Sequence, residues 1–118
     1  MELTVATTLY GIKNCDTMKK ARVWLDDQGV EYVFHDYKKE GVPEAELRRW
    51  IDTLGWETVI NRRGTTWRKL DQDVRDNMDA EQAVPVALDN PSIIKRPILQ
   101  HGEALVAGFN ADQWQALF

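Results

Sequence analysis

The chain of 118 residues contains one cysteine, Cys15, and only two histidines, His35 and His101. A single cysteine cannot close an internal disulfide, and no Cys/His cluster has the spacing that holds zinc, so neither staple is available. No stretch approaches the ~20 consecutive apolar residues of a membrane-spanning helix. The opening residues, MELTVATTLYGIKN, lack a basic run followed by a long apolar one, which reads as no secretory leader. Positive charge is not in excess either. The net charge of −4 gives no electrostatic footprint for direct nucleic-acid binding. Repeats, low-complexity tracts and Pro/Gly/Ser linkers are missing as well. These absences point to a cytoplasmic, metal-free single domain over residues 1–118, with nothing that demands a dimer.

What is present is ordinary globular material. Apolar residues make up 43% and charged residues 29%, the balance of a folded soluble domain rather than a disordered one. Five tryptophans supply bulky core side chains.

The pattern along the chain alternates strand and helix. LTVATTLY is short and rich in β-branched and aromatic residues, as a buried strand is. Asn14 is a candidate helix cap, after which Met18, Ala21, Trp24 and Leu25 share one face up to a stop at Gly29. VEYVFHDY follows with strand-like residues, completing a right-handed β-α-β unit. A helix is expected from Pro43, with Leu47, Trp50, Ile51 and Leu54 as its stripe and Gly55 at its end. NRRGTTWRKL reads as a basic loop around Gly64. Asp79 caps a further helix that must accommodate Pro85. Ile98 and Leu99 then lead through a turn at His101–Glu103 into Ala104–Val106, a hairpin. Asn110 caps a last helix whose Trp114, Leu117 and Phe118 are expected to pack inward. The order β-α-β, helices, β-β-α is α/β, a thioredoxin-like fold with a mixed four-stranded sheet and an all-helical insertion at about 42–92.

Cys15 falls where the first strand turns into the first helix. Ligand sites in open α/β sheets favour that carboxyl edge. The unpaired N–H groups and dipole of a helix start favour a thiolate over a thiol, and Lys13 and Lys19 add positive potential. The competing reading is inert filler, since free cysteine is among the most buried residue types. Arg62, Arg63, Arg68, Lys69, Lys95 and Arg96 form a second basic group, for which a solvated face is the plain reading. Arg96 stands apart because it lies between the apolar stretches SII and PIL, where a guanidinium fork needs a partner or an anionic ligand. Composition alone does not reveal the isomer of the Arg96–Pro97 bond.

Three segments, LYGIKNCDTMKKA, RGTTWRKL and NPSIIKRPIL, in this order and spacing resemble the ArsC/Spx family of arsenate-reductase-related thioredoxin-fold proteins, within it the YffB-type branch. The resemblance extends from about Thr8 to Phe118. It implies one active-site cysteine at Cys15, Arg63 and Arg96 on the anion-binding side of the site, and a cis bond before Pro97. With Lys13 these arginines are expected to hold the carboxylates of glutathione as co-substrate, with Asn14 and Pro97 shaping the site and no bound cofactor. The implied activity is glutathione-dependent reduction of an unidentified disulfide or oxidised substrate through a mixed disulfide. RNA polymerase, a partner within the Spx branch, stays open as an alternative. Three departures bear on this. The arsenate reductases carry a histidine where Gly11 stands and a third arginine where Ala107 stands. The redox-regulator branch often has a second cysteine where Met18 stands.

Overall fold

The structure, a computed structural model, describes residues 6–118. The expected first strand begins at Leu3, so its first residues, Leu3 to Val5, lie outside the described part. Two compact units are present, one formed by residues up to Glu40 together with Arg96–Phe118, the other by Gly41–Lys95.

The first unit is built on a four-stranded sheet in the order β2-β1-β3-β4. Strand β1 (Thr7–Gly11) runs parallel to β2 (Val33–Asp36) and antiparallel to β3 (Ile98–His101), which pairs antiparallel with β4 (Ala104–Ala107). One parallel pair and two antiparallel ones, with a helix crossing between β1 and β2, is the thioredoxin-like arrangement. That helix, α1 (Asp16–Asp27), buries Met18, Ala21 and Leu25, which recur every three to four residues. It ends where Gly29 takes φ +68°, with Gly29 N–H on the Asp26 carbonyl and Val30 N–H on that of Leu25. This is the Schellman stop that a left-handed glycine allows.

Leu9, Met18, Ala21, Leu25, Leu99 and Trp114 are fully buried together and form the core of this unit. Trp114, on the terminal helix α8 (Ala111–Gln115), meets Phe109 edge-on at 4.9 Å and Trp24 at 5.8 Å, and its indole N–H donates to the Gly108 carbonyl at 3.2 Å. Asn110 caps α8, its Oδ1 accepting from Gln113 N–H. Phe118 departs from expectation. It is 42% exposed, lying against His101 at the chain end instead of entering a core already filled by Trp114.

Strand β2 is shorter than expected, ending at Asp36. The Asp36 carboxylate accepts the Lys38 N–H and Glu40 accepts the Asp36 N–H, a side-chain-built turn that starts the short helix α2 (Tyr37–Glu40).

The second unit is helical, apart from an isolated bridge between Ile60 and Ile94. Helix α3 (Glu44–Leu54) buries Leu47, Trp50 and Ile51; Pro43 sits one position earlier than expected, as the cap. After α4 (Trp56–Val59), the stretch expected as a loop contains helix α5 (Thr65–Lys69). Two threonines hide it from propensity. Packing supplies what propensity lacks, with Trp67 stacked on Trp56 at 6.4 Å. Helix α6 (Gln72–Asp76) was likewise not foreseen. In α7 (Ala80–Asp89) the Asp79 carboxylate caps through Gln82 N–H. Pro85 stands inside α7 with its ring exposed.

Candidate functional site

Gly11 ends β1, and the chain turns through Ile12, Lys13 and Asn14 to Cys15. Cys15, and not Asn14, is the cap of α1. Its backbone is extended (φ −138°, ψ 130°), its carbonyl accepts Lys19 N–H at 3.0 Å, and no side chain caps the helix. Asn14 lies one residue too early and is exposed. The Cys15 thiol is free and half-buried, packed against the core formed by α1 and the sheet.

Two sheet neighbours flank this turn. On one side, β1 pairs with β2 so that Gly11 faces Asp36. On the other, Tyr10 faces Ile98, and one further step in that register sets Pro97 beside Gly11. The Arg96–Pro97 bond is cis, and the Pro97 carbonyl accepts Gly108 N–H at 2.7 Å, tying the turn to the end of β4. Arg96 is half-buried and, among the described residues, makes no ion pair, nor does exposed Lys13. Ala107, opposite Ile98 in β4, offers no charge of its own.

Lys13, Cys15, Arg96 and Pro97 therefore lie in one unit at one sheet edge. Arg63 belongs to the helical unit, between α4 and α5. There it is exposed, its N–H donates to the Asn61 side chain, and its carbonyl accepts from Arg68.

Beside the cysteine turn is a cleft of about 570 Å³ lined by Lys13, Arg22, Phe34, Asp36, Lys39 and Glu40. Apart from Lys13, sequence reasoning passed over these residues. One signal was available, since Arg22 lies about two turns into the helix that Cys15 caps. The others are brought in by the β1–β2 register, which no local pattern displays.

This edge carries one free, half-buried cysteine, with Lys13 and Arg96 in the same unit and, among the described residues, without ion pairs. Among the described residues there is no group of side chains that could hold a metal ion. No described helix is long and apolar enough to cross a membrane.

Comparison with known proteins agrees with the fold. The model of the ArsC family matches residues 10–117. A solved structure of a protein named YffB is 50% identical and superposes with a TM-score of 0.92, covering 95% of this chain and 98% of its own. An arsenate reductase (ArsC) related protein from Brucella melitensis is 51% identical with a TM-score of 0.78, over 98% and 97% of the two chains. The global transcriptional regulator Spx of Streptococcus mutans is 30% identical over 92% of this chain and 80% of its own length.

Proposed function

Since the chain belongs to the ArsC family, we propose that it is a glutathione-dependent thiol–disulfide reductase of the cytoplasm with Cys15 as its nucleophile. The observation that carries this is the placement of the only cysteine. It is half-buried at the cap of α1, in the turn that follows β1, and Lys13 and the cis Arg96–Pro97 bond belong to the same unit. The Cys15 thiolate attacks one sulfur of a disulfide RS–SR′. A Cys15–S–SR bond forms, the RS–SR′ bond breaks, and R′S⁻ leaves with the electron pair and takes a proton from solvent. Met18 stands three residues on, so no thiol of this chain resolves the mixed disulfide. A glutathione thiolate from solution attacks it instead, releasing Cys15 and carrying the oxidation away. Where Cys15 has first attacked glutathione disulfide, the same two steps run with R as glutathione. Lys13 and Arg96 hold carboxylates as ionic partners, Arg96 through its bidentate fork. Arg63 enters with the same role from the family resemblance.

The test is mixed-disulfide formation followed by intact mass, with turnover measured alongside. Wild type takes up one glutathione from its disulfide; Cys15→Ser takes up none and loses reductase activity. Full activity in Cys15→Ser would discard the proposal.

A second reading is a regulator that docks on RNA polymerase, and the 30% identity to a protein named for global transcriptional regulation favours it. Capture of polymerase from cell extract, equal for wild type and Cys15→Ser, would select that reading. Arsenate reduction ranks below both, because Gly11 and Ala107 replace a histidine and an arginine of those enzymes.

A further inference from the structure

A reductase with one cysteine takes its second thiol from solution, and the charges of the cleft that Lys13 of the cysteine turn lines say what that thiol carries. Resting on the reductase reading, we infer that the cleft lined by Lys13, Arg22, Phe34, Asp36, Lys39 and Glu40 docks the ionic ends of glutathione. Three elements converge there at the carboxyl edge of the parallel strand pair. Lys13 is two residues before Cys15. Asp36 lies opposite Gly11, at the end of the strand that leads into the cysteine turn. Arg22 lies seven residues after Cys15, about two turns into the helix that Cys15 caps.

The cleft volume is within the range of small-molecule sites. Its charge pattern discriminates among ligands. Three basic side chains, Lys13, Arg22 and Lys39, face two acidic ones, Asp36 and Glu40, so the lining carries three positive charges against two negative. Glutathione carries two carboxylates and one ammonium, the complementary set with the opposite net sign. A wholly anionic ligand such as inorganic phosphate would meet the two carboxylates as like charges.

The positive side is already positioned. The Arg22 guanidinium lies over the Phe34 ring at 4.7 Å, and its Nε donates to the Tyr32 hydroxyl at 3.3 Å. The terminal N–H groups of its fork remain for a carboxylate. Lys39 is exposed and, among the described residues, has no ion pair. On the negative side, Glu40 accepts the Asp36 N–H at 3.3 Å and Asp36 accepts the Lys38 N–H at 3.0 Å. The turn that ends β2 therefore fixes the two carboxylates that would receive the ligand ammonium.

The experiment compares rates of mixed-disulfide formation at Cys15 with glutathione disulfide and with uncharged hydroxyethyl disulfide. Lys39→Glu and Arg22→Gln are each expected to lower the ratio of the two rates about tenfold. Lys20→Glu, the same charge change at an exposed site outside the cleft, is expected to leave the ratio at its wild-type value. If Lys39→Glu and Arg22→Gln keep the wild-type ratio while Cys15 still takes up glutathione, the cleft assignment falls and the reductase reading stands. A drop with Lys20→Glu equal to that with Lys39→Glu also overturns the assignment, since net charge alone would then explain it. If wild-type Cys15 forms no glutathione adduct at all, the reductase reading falls and the cleft assignment with it.

Discussion

Gly11→Ala is a change of one methyl group at the end of β1, and the structure makes it costly. A Cβ built on Gly11 would stand 2.5 Å from the Met18 Sδ and 2.8 Å from its Cε, against the ~3.5–4.0 Å of an ordinary non-bonded carbon contact. The thioether must therefore retreat by roughly 1 Å. A surface methionine would do so freely, but Met18 is fully buried among Leu9, Ala21, Leu25, Leu99 and Trp114. Overpacking of a filled core costs ~1–3 kcal/mol. Alanine also reduces the freedom of the unfolded chain, which offsets about 0.4–1 kcal/mol where its backbone geometry is unstrained. Gly11 lies in a strand with φ outside the left-handed region, so that offset applies. Taking the middle of each range, the balance is a loss of about 1.3 kcal/mol, a fall in Tm of roughly 5 °C for a domain of this size. Urea titration followed by tryptophan fluorescence reads the same loss as a lower midpoint at unchanged slope. Met18→Ala removes the obstructing atoms, so the two substitutions together cost less than their sum by about 1 kcal/mol or more. Gly11→Ala as stable as wild type, or additivity in the double variant, would refute the steric reasoning.

Two further predictions concern buried aromatic groups. Tyr37 is 3% exposed, and burial first, then the neighbouring Tyr10, push its hydroxyl above the ordinary tyrosine range. Its unfolded counterpart ionises near ~10 while the folded one keeps its proton, so this stabilisation is complete below that pH and is lost as pH rises beyond it, at up to about 1.4 kcal/mol per pH unit. Urea midpoints measured between pH 9 and 12 should fall less steeply for Tyr37→Phe than for wild type, and equal slopes would count against a buried neutral hydroxyl. Trp114→Ala removes the side chain that Phe109 and Trp24 meet edge-on and should cost about 3–5 kcal/mol in urea unfolding. A loss under about 1 kcal/mol would show that the core of the first unit closes around the gap.

Those packing details were not available from the sequence, whereas the order of elements largely was. Helix α1 announced itself by Met18, Ala21 and Leu25 at helical spacing and by Gly29. The caps Asp79 and Asn110 were legible because a short polar side chain before an apolar-periodic run has one common use. Helix α5 was hidden, since Thr65 and Thr66 are weak helix formers and the stabilising contact, Trp67 on Trp56, is between residues eleven apart in sequence. The end of β2 was hidden for a related reason, because Tyr37 looks like a strand residue until the Asp36 and Glu40 side chains are seen to close the turn. Of the site, Cys15 and Lys13 could be picked out from local sequence, and Arg96 from its apolar neighbours. Asp36 and Lys39 could not, since only the pairing of β1 with β2 brings them to the cysteine turn.

The two departures from the family pattern nearest to Cys15 are one packing event. Gly11 stands where the arsenate reductases have a histidine, and Met18 where the redox regulators often have a second cysteine. The structure puts the Met18 thioether into the space a side chain at residue 11 would need. A histidine at 11 and a methionine at 18 therefore exclude one another, so restoring the histidine alone is opposed by Met18. Gly11→His would press an imidazole into a filled core, at a cost above that of Gly11→Ala. Met18→Cys would leave a cavity where the thioether was. A buried methionine in place of a resolving thiol removes the intramolecular route for a mixed disulfide. On the proposed reading, the fate of that disulfide would depend on a thiol held from solution, the demand that the paired charges around Lys13, Arg22, Asp36 and Lys39 would meet.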